Sequence, residues 1–111
     1  MSESEEHIPL TEAVYYILLA LHEPRHGYGI MQFIKAISAE RVHLGPGTLY
    51  GAIKNMLEKG WIQAVNNDLD SRRKEYELTP LGRKVVLAEI NRLEELIENG
   101  KKIMGDEKVD R

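Results

Sequence analysis

The 111-residue chain has no cysteine, which excludes disulfides, thiolate catalysis and cysteine-ligated zinc. Its apolar run Ala13 to Leu21 is far shorter than the ~20 residues needed to span a bilayer, and the opening MSESEEH is acidic, unlike a secretory signal. A cytoplasmic protein with no membrane partner is expected. No nucleophile with a paired base, no carboxylate pair and no phosphate-cradling glycine loop is present, so an enzyme is not expected and no cofactor or metal is called for. His22 and His26 are four apart, but Pro24 lies between them and no carboxylate or cysteine completes a set, which favours turn chemistry over a metal pair. Basic side chains are missing from residues 1–24, which carry five acidic groups; residues 25–84 carry ten basic and six acidic, and residues 85–111 five basic and seven acidic. The net charge of −3 therefore hides a basic middle.

The length suits one domain with an appended helix. Leu44 to Ile62, LGPGTLYGAIKNMLEKGWI, reads as a complete helix: Pro46 fits the first helical position and Gly60 the left-handed stop. At about 100° per residue, Leu49, Ala52, Ile53, Met56 and Leu57 form an apolar stripe, with Thr48, Gly51, Asn55 and Glu58 opposite and Lys54 and Lys59 flanking. Gly51 costs about 1 kcal/mol relative to alanine in the middle of the solvent side. Either that cost is simply tolerated, or something large approaches this face closely. Tyr50 lies off the stripe's centre, where phosphate contact and packing at the core's edge are both open.

Earlier in the chain, Thr11 is a plausible cap for a first helix running to Leu21, with Glu12 favourable in its first turn. This helix is apolar all round, which implies either a partner chain covering it or a central place in a monomer core. Pro24 ends it. After a turn, a second helix reaches about Ser38, with Ile30, Phe33, Ile34 and Ile37 at helical spacing and Gln32 and Lys35 outside. The short loop from Ala39 to Leu44 makes the second and third helices a helix-turn-helix. Trp61 to Val65 and Arg72 to Leu78 read as a β-hairpin around the turn-rich residues 66–71, with Lys74, Tyr76 and Leu78 on one side and the basic cluster Arg72, Arg73, Lys74 at its tip. Thr79-Pro80 opens a last helix in which Val86, Ile90, Leu93 and Ile97 form a seam for another helix, leaving Arg83, Glu89, Arg92, Glu94 and Glu95 outside. Asn99-Gly100 weakens its end, although Ile103 and Met104 can carry the seam one turn further.

The expected fold is mainly α with a small β-hairpin: a winged helix-turn-helix over residues 10–79 and a dimerisation helix over 80–104. A disordered acidic leader over 1–9 and a frayed tail over 105–111 flank them. The motifs HGYGI at His26 to Ile30, LGPGTLYGAIKNMLEKGWI, and RRKEYELTPLGR at Arg72 to Arg83 closely resemble the PadR family of bacterial and archaeal transcriptional regulators over about residues 10–97. The sequence departs from the family at Gly45, where serine is common, and at Trp61, where a smaller apolar residue is usual. The resemblance implies a homodimeric repressor of palindromic operators, with Pro46, Gly47, Thr48, Leu49 and Tyr50 opening the recognition helix and the hairpin as wing. The short last helix resembles a subfamily that includes phenolic-acid and multidrug-responsive regulators.

The residues expected to meet double-stranded DNA are Gln32, Lys35, Gly45, Pro46, Gly47, Thr48, Tyr50, Gly51, Lys54 and Asn55, with Arg72, Arg73 and Lys74 on the wing. Val14, Tyr15, Leu18, Val86, Ile90, Leu93 and Ile97 are expected at the dimer interface. For Tyr15 and Tyr16 two readings stand side by side: a site for a small aromatic or amphiphilic effector, or plain packing with the hydroxyls at the interface edge. The alternative to DNA binding is a winged helix that docks a protein partner; the basic hairpin tip suits phosphate better.

Overall fold

The computed structural model describes residues 9–66, 69–70 and 73–105. The expected leader up to residue 8, the tail from residue 106 and the wing residue Arg72 lie outside the described residues.

Four helices and three short strands follow one another: α1 (Glu12–Ala20), β1 (Arg25–His26), α2 (Gly27–Ile37), α3 (Pro46–Glu58), β2 (Ile62–Ala64), β3 (Glu75–Leu78) and α4 (Pro80–Met104). The Thr11 side chain caps α1 by accepting from the Val14 N–H. Inside this helix Ile17, Leu18 and Ala20 are buried, while Val14, Tyr15, Tyr16 and Leu19 are half-buried. The chain thus covers much of its most apolar helix itself. β1 is a departure from the expected turn. His22 Nδ1 bonds the Leu19 carbonyl and His26 caps α2 by accepting from the Gly29 N–H, so both histidines serve the turn that joins α1 to α2.

The sheet has the order β1-β3-β2 and is antiparallel throughout, with Arg25 opposite Tyr76 and Ile62 opposite Leu78. Leu78 N–H donates to the Leu21 carbonyl, tying β3 to the end of α1. Ile30 and Ile34 of α2 and Leu49, Ile53 and Met56 of α3 meet α1 in one core, closed below by Trp61, Ile62 and Tyr76. Ile37 and Leu57, expected on the apolar faces, are 49% and 39% exposed, because each sits at its helix's last turn, beyond that core. Ala39 and Glu40 have φ of 52° and 64°, a left-handed pair that turns the chain from α2 toward α3.

The last helix begins at a dense junction. The Thr79 hydroxyl accepts from Gly82 N–H and bonds the Gly60 carbonyl at 2.5 Å, while Thr79 N–H donates to the Trp61 carbonyl. Gly82 lies against that same carbonyl, where a Cβ would collide. Beyond it, Val85 and Val86 are buried, Ile90 and Leu93 half-buried, and Leu96, Ile97, Ile103 and Met104 exposed. Glu89 corrects the expected pattern: it is 2% exposed rather than outside. Arg92 holds it with two bonds of 2.7 and 2.8 Å, and the Leu10 N–H donates to it at 3.2 Å. The Arg92 guanidinium, outweighing burial, holds its carboxyl below the usual range.

Candidate nucleic-acid interface

Side chains cap α1, α2 and α4 at their N-termini, but α3 starts at Gly45, which has none to offer. The first-turn amides of α3 therefore receive no side-chain cap bond, and Pro46 removes the one N–H that the helix could spare. They are open to an acceptor from outside, and the helix dipole favours an anionic one. Around them Gly45, Pro46, Gly47, Thr48, Gly51, Lys54 and Asn55 are all exposed. A Cβ placed on Gly45, Gly47 or Gly51 would meet nothing within 4 Å, so these glycines pack against no part of the chain. At those three positions the absence of a side chain keeps the surface low.

Gly27 is the counter-example. A Cβ there would strike the Tyr50 hydroxyl, because the phenol of Tyr50 lies across the start of α2. Of the two readings of Tyr50, its surroundings favour packing: it is half-buried and close enough to Tyr76 to add to the rise that burial imposes on the Tyr76 phenol. Gln32 and Lys35 are exposed on α2, with Lys35 Nζ 3.6 Å from Glu40. Lys59 is bound elsewhere, its ammonium 4.6 Å from the centre of the Trp61 ring. Tyr28, in the first turn of α2, is 62% exposed, a surface position that the HGYGI motif does not by itself reveal.

The wing is closed by Asn66, whose amide donates to the Arg73 carbonyl and whose carbonyl accepts from Glu75 N–H. Arg73 is exposed at the tip, 3.9 Å from Asp70, and Lys74 is half-buried. The described part of the wing thus presents Arg73 as its most accessible cation, next to a carboxylate that lowers the local field. No helix among the described residues is long and apolar enough to cross a membrane, and no cluster of three metal-ligating side chains occurs among them.

The helix with the uncapped, glycine-lined start, α3, also packs against β2 of the hairpin. A family model described as Transcriptional regulator PadR-like family matches residues 16–88. The chain belongs to the PadR-like family. It is therefore a DNA-binding transcriptional regulator and not an enzyme. Solved structures agree. RosR of H. salinarum is 26% identical, with 87% of this chain and 92% of that one covered and a TM-score of 0.65. A transcriptional regulator from Clostridium thermocellum is 25% identical over 84% of this chain and 88% of that one, with a TM-score of 0.61. A PadR family regulator from Clostridium difficile R20291 shares the fold at 24% identity, 86% and 100% coverage and a TM-score of 0.67. No curated protein matches the chain.

The seam residues divide. Leu18 and Val86 are packed within the protomer's own core and cannot face a partner as expected, since the first half of α4 lies on the domain that precedes it. Val14, Tyr15, Ile90 and Leu93 are half-buried and Ile97 is 55% exposed, so the open part of the seam begins at Ile90. Tyr15 packs beside Tyr16 with ring centroids 6.2 Å apart, and burial, then the Glu89 charge, raises its phenol above the ordinary range. Arg41 pairs with Glu12, with the Tyr16 phenol close by. Neither tyrosine lines either of two surface cavities of about 480 and 210 Å³.

Proposed function

We propose that the protein is a repressor that binds a palindromic operator as a homodimer, with the start of α3 in the major groove and the wing on flanking backbone. The observation that carries this reading is the open start of α3, with amides uncapped, glycines facing empty space, and Thr48 and Lys54 alongside. Backbone N–H groups there suit a phosphate, and the bare glycine surface suits close approach to base edges. The second half of α4 supports pairing, because Leu96, Ile97, Ile103 and Met104 extend past the domain's own core as an apolar row. In a twofold dimer two reading heads would stand about 34 Å apart, in successive major grooves. Occupancy of that stretch excludes other proteins from it, which makes repression the expected direction.

The test joins salt dependence to substitution. Replacing Arg73 and Lys74 by alanine should weaken binding to all duplexes and flatten log K against log salt by roughly 0.9 for each phosphate that is no longer neutralised. Leu93→Asp should convert a sedimenting dimer to a 12.7 kDa monomer. Wild-type protein that sediments only as a monomer at micromolar concentration would reject the dimer. For a small aromatic or amphiphilic effector at Tyr15 and Tyr16, the two rings pack beside each other and line neither cavity, which supports packing. A flat response of operator binding across planar aromatic compounds is the expected result.

A further inference from the structure

The larger cavity is a trough along the outer side of α2, ending at the loop that leads into α3. Met31, Ala36 and Leu44 give it apolar surface; Tyr28, Gln32, Lys35 and Glu40 give it polar surface. Tyr28, Gln32 and Lys35 stand at i, i+4 and i+7, so one ridge of α2 presents a phenol, an amide and an ammonium in a row. Leu44 immediately precedes Gly45, so the trough ends beside the uncapped amides of α3. The trough therefore leads from the start of α3 back along α2. Hydrogen-bond donors above an apolar floor fit a polymer that alternates phosphate with sugar better than they fit an apolar peptide.

One group opposes an anion. Glu40 lies 3.6 Å from Lys35 Nζ, and its place is fixed by the backbone: Glu40 N–H donates to the Lys35 carbonyl at 2.8 Å. His43 Nε2 lies 2.7 Å from the Glu40 carbonyl, and since a carbonyl can only accept, this ring nitrogen is the donor. The backbone at Glu40 is thus held in place, and its exposed carboxylate pairs with the one ammonium that lines the trough. We infer that the trough seats one sugar-phosphate strand of bound duplex, and that Glu40 is a built-in counter-ion which the phosphate displaces from Lys35. The inference rests on the DNA-binding reading, extends the contact surface to Tyr28, and gives Glu40 a role in setting affinity.

The experiment titrates a fluorescein-labelled mixed-sequence duplex with wild type, Glu40→Gln, Tyr28→Phe, Lys35→Ala, the Glu40→Gln/Lys35→Ala double variant and Lys54→Ala, at several salt concentrations. Glu40→Gln should bind roughly two- to fivefold tighter, the range of one exposed ion pair. Its salt slope should steepen by up to about 0.9, because Lys35 then arrives with a mobile counter-ion to release. Tyr28→Phe should bind roughly three- to tenfold more weakly, as for removal of one hydrogen bond. The Glu40→Gln gain should vanish in the Lys35→Ala background; a gain that persists there is a general charge effect and overturns the inference. If Lys54→Ala weakens binding while Glu40→Gln and Tyr28→Phe match wild type, the trough holds something other than DNA and the reading head stands. Wild-type protein with no salt-dependent duplex binding overturns both.

Discussion

A methyl group added at Gly27 would be driven into the Tyr50 hydroxyl, whereas one added at Gly51 would point into empty space. Gly27→Ala should therefore destabilise the fold by about 1–3 kcal/mol, the usual cost of overpacking, with partial recovery when Tyr50→Phe removes the oxygen. Gly51→Ala should raise thermal stability by up to about 1 kcal/mol while weakening specific DNA binding. Thermal melts and operator titrations on the same two variants separate the roles, and equal behaviour would refute the distinction. Gly51 was conspicuous in the sequence because helical periodicity alone puts it on the solvent side. Gly27 was not, since its constraint comes from a side chain on another helix. The same holds for Tyr50, whose angular position leaves two roles open and whose contact with Gly27 favours packing.

At the level of elements, helix starts were legible because they are local: Thr11, Pro46 and Thr79-Pro80 each act within one turn. β1 was not, as two residues between Pro24 and Gly27 carry no period and become a strand only by pairing with Tyr76 and Glu75. The burial of Glu89 is not legible in the sequence, because charge argues for solvent and only Arg92 and the Leu10 amide make that burial tolerable. That burial has a pH signature. Because its native pKa is depressed, Glu89 contributes stability above the ordinary glutamate value of about 4.3. The contribution is lost as pH falls from there through the lower native value. Glu89→Gln should be less stable than wild type at neutral pH and should lose less on acidification. Arg92→Leu should destabilise more than Glu89→Gln, because it leaves the carboxylate buried without its main partner. Urea melts across the acid range check both, and parallel pH profiles for wild type and Glu89→Gln would refute the assignment.

Across the whole molecule, the winged domain and the long helix meet at Thr79, which bonds Gly60 and Trp61 on one side and Gly82 of its own first turn on the other. α4 leaves that junction as a continuous rod of 25 residues, with no break at Asn99-Gly100. Such a rod is a lever clamped at its root, stiff against both bending and torsion. In a twofold pair, each head's azimuth around the DNA is then fixed by the clamp and cannot be adjusted by a swivelling linker. One base pair inserted between half-sites turns the second half-site by about 34–36° and moves it by about 3.4 Å. Affinity for such a respaced operator should fall toward the non-specific level, and Thr79→Gly, which loosens the clamp, should weaken the native operator while narrowing the gap between the two spacings. A wild-type dimer indifferent to that single base pair would mean that the rod twists freely at its root.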